Sequence, residues 1–505
     1  MKIMLIALPT KNIGNQFPNL GAIAIAQTVR DLGHDVHLID TVRYNYSKEE
    51  IVSEISRIKP DLIGLSGLIT SYYYFEPLVA AVKKSFPKIP LIVGGSITSA
   101  IDLIEKYTEV DYVVKGEGED CISELLSRLS SARSLDVSGI PGLFAREEGK
   151  FTHPTAEQSY PDLSKIPIPA YDLYDLDYYI DSSTKNVYRS LKIYPEIRKK
   201  IGEDVRFFPI VISRGCPFSC LFCYRLIKKH RHPPVDKTIR HLRMIKEELR
   251  CSGITLLDEL IIVDKKWFIE LCDAIARELP GLKIFSGAGR VDLVTPEIIS
   301  HAKKAGFIRF GCGIESGSQV ILNNLNKKTT VQQNLDAIKL IKESGIMATC
   351  NLLFGGPGES KESLGETERF IRENLDPRDY AVNFAYAYPG APLFDYAVDE
   401  GILKPGHIHD YVLNANFGDY PLNFSKFNSA DKLYKEVGSM QFRLKVHSLW
   451  EGREYKSLAA AIARHLVLEV LYLLSKISPR MIGAIRSIND KRRLKMFRAK
   501  LDVKK

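Results

Sequence analysis

The sequence predicts two α/β domains in series: a doubly wound parallel sheet, then a partial (β/α)6 barrel, followed by a mainly helical C-terminal region. Three observations carry this. Short apolar runs alternate with amphipathic helical patterns from Lys2 to Phe354, a proline-rich stretch at Lys165–Leu173 interrupts the alternation, and from about residue 406 the chain reads as helical. Strands separated by helices imply parallel sheets. At 505 residues and 45% hydrophobic content the chain is well packed but too long for one ordinary core. The expected divisions are 1–135, a linker at 136–205, 206–405 and 406–505.

In the first domain Lys2–Leu8, Val36–Ile39, Leu62–Leu65, Leu91–Val93 and Tyr112–Val114 read as strands, and Glu49–Ile58 and Phe75–Phe86 as helices. Met1–Leu8, interrupted by Pro9 and Lys11, is too short for a signal-peptide core and reads as the first strand. Ligands of such sheets sit at strand carboxyl ends. Those ends carry Ser66-Gly-Leu68-Ile-Thr70, Gly94-Gly95-Ser96 and Gly116-Glu117-Gly118. Small residues there let a large flat ligand approach the backbone. His37 falls on the second strand and reads as an ordinary strand residue.

Residues 136–185 lose helical periodicity and gain prolines, as an interdomain strap does. Its tyrosines, Tyr174–Tyr179, are expected to anchor it to a neighbouring surface. The apolar run Phe207–Ile212 then leads into Ser213-Arg-Gly-Cys216-Pro-Phe-Ser-Cys220-Leu-Phe222-Cys223-Tyr224. Three thiolates so spaced, on a loop leaving a strand, can bind three irons of a cubane and leave the fourth without a protein ligand. The alternatives are zinc completed by His230 or His232, and a disulfide with a spare thiol. Zinc usually takes closely spaced ligand pairs, and no second set follows. Cys121, Cys251, Cys272, Cys312 and Cys350 stand singly in apolar contexts and read as core.

Strands and helices alternate again beyond the cysteines: Thr238–Leu249, Ile254–Leu257, Trp267–Leu279, Lys283–Ser286, Thr295–Ala305, Ile308–Gly311, Val331–Ser344 and Ala348–Phe354. This is the barrel pattern, which puts active residues at strand carboxyl ends. Polar groups stand there: Asp258 and Glu259, Arg290, Glu315 and Ser316, then Gly356 and Glu359. Arg290 can offer a planar fork to a carboxylate, or form a structural salt bridge.

The CxxxCxxC spacing with Phe222 before its last cysteine resembles the radical S-adenosylmethionine enzymes. The resemblance implies that a 4Fe-4S cluster at Cys216, Cys220 and Cys223 chelates S-adenosylmethionine through its open iron, with Phe222 near the adenine. Asp258 or Glu259 would meet the methionine ammonium, in place of the family's Gly-Gly-Glu-like segment. Glu315 and Ser316 would meet the ribose hydroxyls, while Gly356 and Glu359 lie in the segment beside the adenine, where Leu352 replaces a family glycine. Tyr386-Ala-Tyr-Pro-Gly-Ala-Pro-Leu393 resembles the segment that closes the site.

The first domain resembles the cobalamin-binding domain, a flavodoxin-like fold. That likeness assigns Ser66, Leu68, Thr70, Gly94, Gly95, Ser96, Gly116, Glu117 and Gly118 to a cobalamin pocket. Members that ligate cobalt carry Asp-x-His-x-x-Gly after the first strand; here the loop reads Pro9-Thr-Lys-Asn-Ile-Gly-Asn15, without histidine. Together the domains resemble the cobalamin-dependent radical S-adenosylmethionine subclass, which leaves the lower face of cobalt to the second domain or to water. A flavodoxin-like domain without ligand is the alternative.

The resemblance implies that a reduced cluster cleaves S-adenosylmethionine to a 5′-deoxyadenosyl radical, which removes an unactivated hydrogen. Methylation of an sp3 carbon of a small-molecule or lipid substrate is the first expectation. Ring formation, rearrangement or oxidation without methyl transfer is the second, and a non-catalytic cobalamin or redox sensor is the reading from another class. A cytosolic electron donor is implied, and a cluster without a secretion signal fits the cytoplasm.

The formal charge of +9 is concentrated in Arg480–Lys505, where ten basic residues face two acidic ones, a local net of +8. No interleaved aromatic platform accompanies them, so nucleic acid is not an expected partner. The apolar segment Leu458–Leu474 contains Arg464, His465 and Glu469, which argues against a membrane span. A packed helix with a solvated tail is the plainer expectation. Peripheral docking at the inner membrane face is the sharper one.

Overall fold

A computed structural model of the chain describes residues 1–10, 17–131, 137–152, 160–414, 422–451, 457 and 459–463. The Lys11–Asn15 part of the histidine-free loop lies outside these residues. So do Leu458, residues 464–474 and the whole basic tail.

The first sheet has seven strands: β1 (Lys2–Ala7), β2 (Asp35–Asp40), β3 (Leu62–Ser66), β4 (Leu91–Gly94), β5 (Tyr112–Val114), β6 (Leu143–Glu147) and β7 (Lys150–Thr152). Their order is β2-β1-β3-β4-β5-β6-β7, parallel through β5. The first five follow the flavodoxin-like order 2-1-3-4-5, which puts a switch point between β1 and β3. β1 is buried along Ile3–Ala7, as a strand covered by helices on both faces must be. His37 lies on β2 and pairs with Asp35 at 3.2 Å, as an ordinary strand residue.

The sheet extends past the expected boundary at 135, because β6 and β7 add an antiparallel hairpin to β5. Glu148 and Gly149 both take positive φ at its tip, the geometry of a tight two-residue hairpin turn. The strap also departs from expectation. It contains a 16-residue helix, Leu176–Leu191, capped when the Asp175 carboxylate accepts from the Tyr178 amide. Its buried face carries Tyr179, Ile180, Ser183, Val187 and Leu191. Strap tyrosines act as anchors: Tyr179 donates to both Asp40 oxygens, and Tyr171 meets His241 and packs edge-on against Phe208.

The second sheet has six strands: β8 (Phe207–Ile210), β9 (Gly253–Leu256), β10 (Lys283–Arg290), β11 (Phe307–Glu315), β12 (Met347–Phe354) and β13 (Tyr380–Phe384). All pairings are parallel and sequential, and β8 does not pair with β13, so the barrel is partial. The Leu176–Leu191 helix packs with it: Val187 and Leu191 share a core with Phe207, Phe285 and Met347. Cys312 and Cys350 are register partners, both buried, and all eight cysteines are free thiols.

Residues 1–367 and 378–430 form one compact unit, holding both sheets. The second unit comprises 368–377 and 431–505. Its described part is built on the helix Ala430–Glu451, with Leu433, Val437, Met440 and Leu444 buried and Arg443 forked on Glu368 at 2.8 and 2.5 Å. Among the described residues no helix is long and apolar enough to cross a membrane.

Candidate active site

The cysteine loop follows β8 and is closed at its base. Arg214 and Arg231 exchange both backbone hydrogen bonds, at 2.8 and 2.9 Å, and the Cys216 amide donates to Ile227. Gly215 must be glycine, because φ is +81° and a Cβ would run into the Lys229 carbonyl oxygen. Leu221 and Phe222 secure the tip: the Leu221 amide donates to Leu325, Leu393 donates back to Leu221, and Phe222 packs on Ile321, Leu325 and Leu353.

Among the described residues no three His, Cys, Asp or Glu side chains converge tightly enough for a single metal ion. A cubane's thiolates each bind a separate iron, so a cluster does not require the three cysteines to converge on one ion. His232 is engaged away from the thiols, stacking on Trp267 at 4.3 Å and reaching Asp264 at 3.3 Å. Burial pushes the Cys223 thiol up to about 12, so loading it with metal must release a proton.

A cavity of about 440 Å³ begins as an apolar slot. Its walls are Ile3 and Leu5 of β1, Leu62 and Gly64 of β3, Ile92 of β4, and the helices Leu20–Asp31 and Glu119–Ser131. It opens past Ser66, Gly94, Gly95, Gly116, Glu117 and Gly118, and ends against Ser213–Gly215 and Leu257–Glu259 of the barrel. A Cβ on Gly94 would meet no atom within 4 Å, so this glycine borders open space. Gly95 makes the turn: its φ is +88° and a Cβ would lie 2.6 Å from the Gly67 carbonyl oxygen. A deep apolar slot floored by glycines fits the flat nucleotide base of cobalamin. Leu68, Thr70 and Ser96 do not line it; Leu68 is exposed, and the Ser96 hydroxyl accepts from the Ile69 amide.

Several of the residues expected at the ligands also have partners within the protein. Glu117 lines the cavity, but its carboxylate is buried against two guanidiniums, Arg214 at 2.7 Å and Arg231. Glu119 takes the other arm of Arg214 at 2.6 Å. Asp258 accepts from the Ile212 and Ser213 amides and the Ser213 hydroxyl, which fixes the start of the cysteine loop. Glu259 lines the same cavity but is exposed there, where Asp258 is buried.

Arg290 is not a free fork. It is buried, lies 2.8 Å from Asp292, donates to the Lys327 carbonyl, and stacks on Phe218 with its Nη1 3.5 Å from Cys220 Sγ. The Arg290–Asp292 pair is close but out of line for a hydrogen bond, so it is an ion pair. Ser316 is likewise engaged, with Thr367 at 3.0 Å and the Ser318 amide at 3.1 Å, and so holds its loop. Glu359 is 1% exposed and accepts from Ser363, while burial raises its carboxyl to about 7; it braces the turn after Gly356. A Cβ on Gly356 would press on Leu325 at 2.8 Å. Glu315 sits at φ +57° with one oxygen on Lys327 at 2.8 Å.

Arg214, Arg231 and Lys327 carry no signal of their roles in local sequence, whereas Asn19 opens the first helix. Asn19 caps the Leu20–Asp31 helix and donates to the Ser66 carbonyl at 2.9 Å, and an asparagine before a helical run is a readable cap signal. The partners of the other three lie far off in sequence.

Three thiols at the mouth of a parallel partial barrel, facing a slotted flavodoxin-like domain, define the class: a cluster-bearing barrel joined to a cobalamin-type domain. The chain matches the Radical SAM superfamily model over residues 210–371 and the B12 binding domain model over 7–126. It is 30% identical over 415 residues to an uncharacterized methyltransferase of Pyrococcus horikoshii, covering 80% of this chain and 84% of that one. It is 26% identical over 356 residues to the anaerobic magnesium-protoporphyrin IX monomethyl ester cyclase of Rubrivivax gelatinosus, at 69% and 60% coverage. The hopanoid C-3 methylase of Methylococcus capsulatus is 25% identical over 379 residues, at 73% and 66% coverage. In fold it is similar to the methyltransferase TsrM from Kitasatospora setae, with TM-score 0.66, 16% identity and coverage of 80% and 79%. The chain belongs to the cobalamin-dependent radical S-adenosylmethionine enzymes.

Proposed function

We propose that this protein methylates an unactivated carbon of a small-molecule or lipid substrate. The observation that supports the reading is one cavity running from the apolar slot to Ser213–Gly215 and Leu257–Glu259 at the barrel ends. When bound, the cluster with S-adenosylmethionine supplies the hydrogen-abstracting radical, and cobalamin supplies the methyl group.

Cys216, Cys220 and Cys223 hold the cluster, and the Arg290 guanidinium, 3.5 Å from Cys220 Sγ, braces one of its ligands. Glu259, not Asp258, is the carboxylate left to receive the methionine ammonium. The second oxygen of Glu315 faces the ribose hydroxyls, and Phe222 walls the adenine. The slot, with Ser66, Gly94, Gly95, Gly116 and Gly118, receives the cobalamin tail and keeps water from the reacting atoms.

Methyl transfer is favoured over ring formation because the relative named a methyltransferase covers most of both chains, whereas the chain spans about 60% of the cyclase. A cytosolic reductant loads the electron, and the basic tail docks peripherally on an anionic membrane face. The test is anaerobic turnover with methyl-deuterated S-adenosylmethionine and a lysate-derived small-molecule and lipid fraction. S-adenosylhomocysteine and 5′-deoxyadenosine should rise together with a deuterated product. 5′-Deoxyadenosine alone, with no label transferred, would overturn methylation.

A further inference from the structure

A second cavity, of about 270 Å³, lies between the strap helix Leu176–Leu191 and strands β9, β10 and β11, and Leu257 borders both it and the cofactor cavity. Arg309 and Arg189 are the ionisable residues among its described walls, and no carboxylate lines it. Arg309 is held in place but not neutralised. Its Nε donates to Thr349 at 2.9 Å and its guanidinium covers the Phe285 ring at 4.5 Å, while no described Asp or Glu lies within ion-pair reach. Burial accordingly pushes Arg309 down to about 10. A second donor points the same way: Asn186 accepts from Arg189 at 3.2 Å, which turns its Nδ2 inward, buried and without a partner. The Ser183 and Thr255 hydroxyls, 3.0 Å apart where the strap helix meets β9, keep one hydrogen to give.

We propose that this cavity is the substrate pocket and that it selects a molecule bearing a carboxylate or phosphate oxyanion, bound by the Arg309 fork with Asn186 Nδ2. The word substrate rests on the function proposed above; the oxyanion site does not. A half-buried guanidinium without a counter-charge is a standing cost that a ligand oxyanion removes, and the planar fork matches both groups. A wholly apolar terpenoid would leave these donors unpaired and is selected against.

The test uses the full-length chain without turnover. Equilibrium dialysis measures benzoate and phenyl phosphate against their neutral counterparts benzamide and benzyl alcohol, for wild type, Arg309→Met and Asn186→Asp. An anion should bind wild type at least about tenfold more tightly than its neutral counterpart, with the advantage lost in both variants. Whether benzoate or phenyl phosphate prevails distinguishes carboxylate from phosphate. Thermal unfolding separates a structural role: Arg309→Met should melt at the wild-type temperature or above, because an apolar replacement of an unpaired, half-buried charge is tolerated. Equal binding of anions and neutral analogues, or a melting temperature lower by several degrees with anion binding intact, would overturn the proposal. Anion selectivity in a protein that makes no 5′-deoxyadenosine would sink the proposed function and leave the pocket standing.

Discussion

Glu117→Gln is the most informative change outside the cofactor ligands. The Glu117 carboxylate sits under both basal arginines of the cysteine loop and is almost wholly buried, with 3% side-chain exposure. Burial raises its pKa, and the two arginines counter only part of that. Glutamine keeps the shape and removes the charge, leaving Arg231 with the Pro161 carbonyl and the Tyr160 ring at 4.9 Å. Arg214 retains Glu119. Breaking a buried pair costs about 3–5 kcal/mol, and the surviving partners put this case near ~3 kcal/mol. That energy falls on the loop's base, so it should appear as local opening. In native-state hydrogen exchange, the Arg214, Cys216 and Arg231 amides should lose roughly 100-fold protection, while Glu119→Gln has a smaller effect. Unchanged exchange at these three amides in Glu117→Gln would refute the clamp.

Three further outcomes follow from the same geometry. Glu359 is raised to about 7 in the fold, against about 4.3 in the unfolded chain, so the folded state holds an extra proton between those values and stability falls as pH rises through them. Glu359→Gln should flatten the urea-measured stability difference between about pH 5 and about pH 8 by ~3 kcal/mol. Gly215→Ala, which forces a side chain into Lys229 at positive φ, should abolish iron loading on reconstitution. Gly94→Ala, whose Cβ meets only open space, should fold and load iron normally yet hold cobalamin at least about tenfold more weakly; undiminished retention would move the tail out of the slot.

The strands were readable because period-2 and period-3.6 patterns alternate cleanly, and the cysteine loop because its ligands are contiguous. The strap helix was hidden: its buried stripe mixes Tyr179 and Ser183 with Ile180 and Val187, which blurs the apolar period. The β6–β7 hairpin was readable in principle from Glu148-Gly149, but its strands are short. Arg290, Ser316 and Glu359 have protein partners that local sequence does not announce. Arg290 meets a carbonyl 37 residues away and Ser316 a hydroxyl 51 residues away. Asp258 and Glu259 are adjacent in sequence, and only the fold separates the loop-fixing carboxylate from the one left open.

The most direct test of the central claim is anaerobic reconstitution with iron, sulfide and hydroxocobalamin, then reductant and S-adenosylmethionine, with 5′-deoxyadenosine measured by mass spectrometry. Wild type should retain cobalamin and make 5′-deoxyadenosine, and Cys220→Ala should retain cobalamin and make none. A fully loaded wild-type protein that makes none, or a Cys220→Ala variant that still does, would contradict the account.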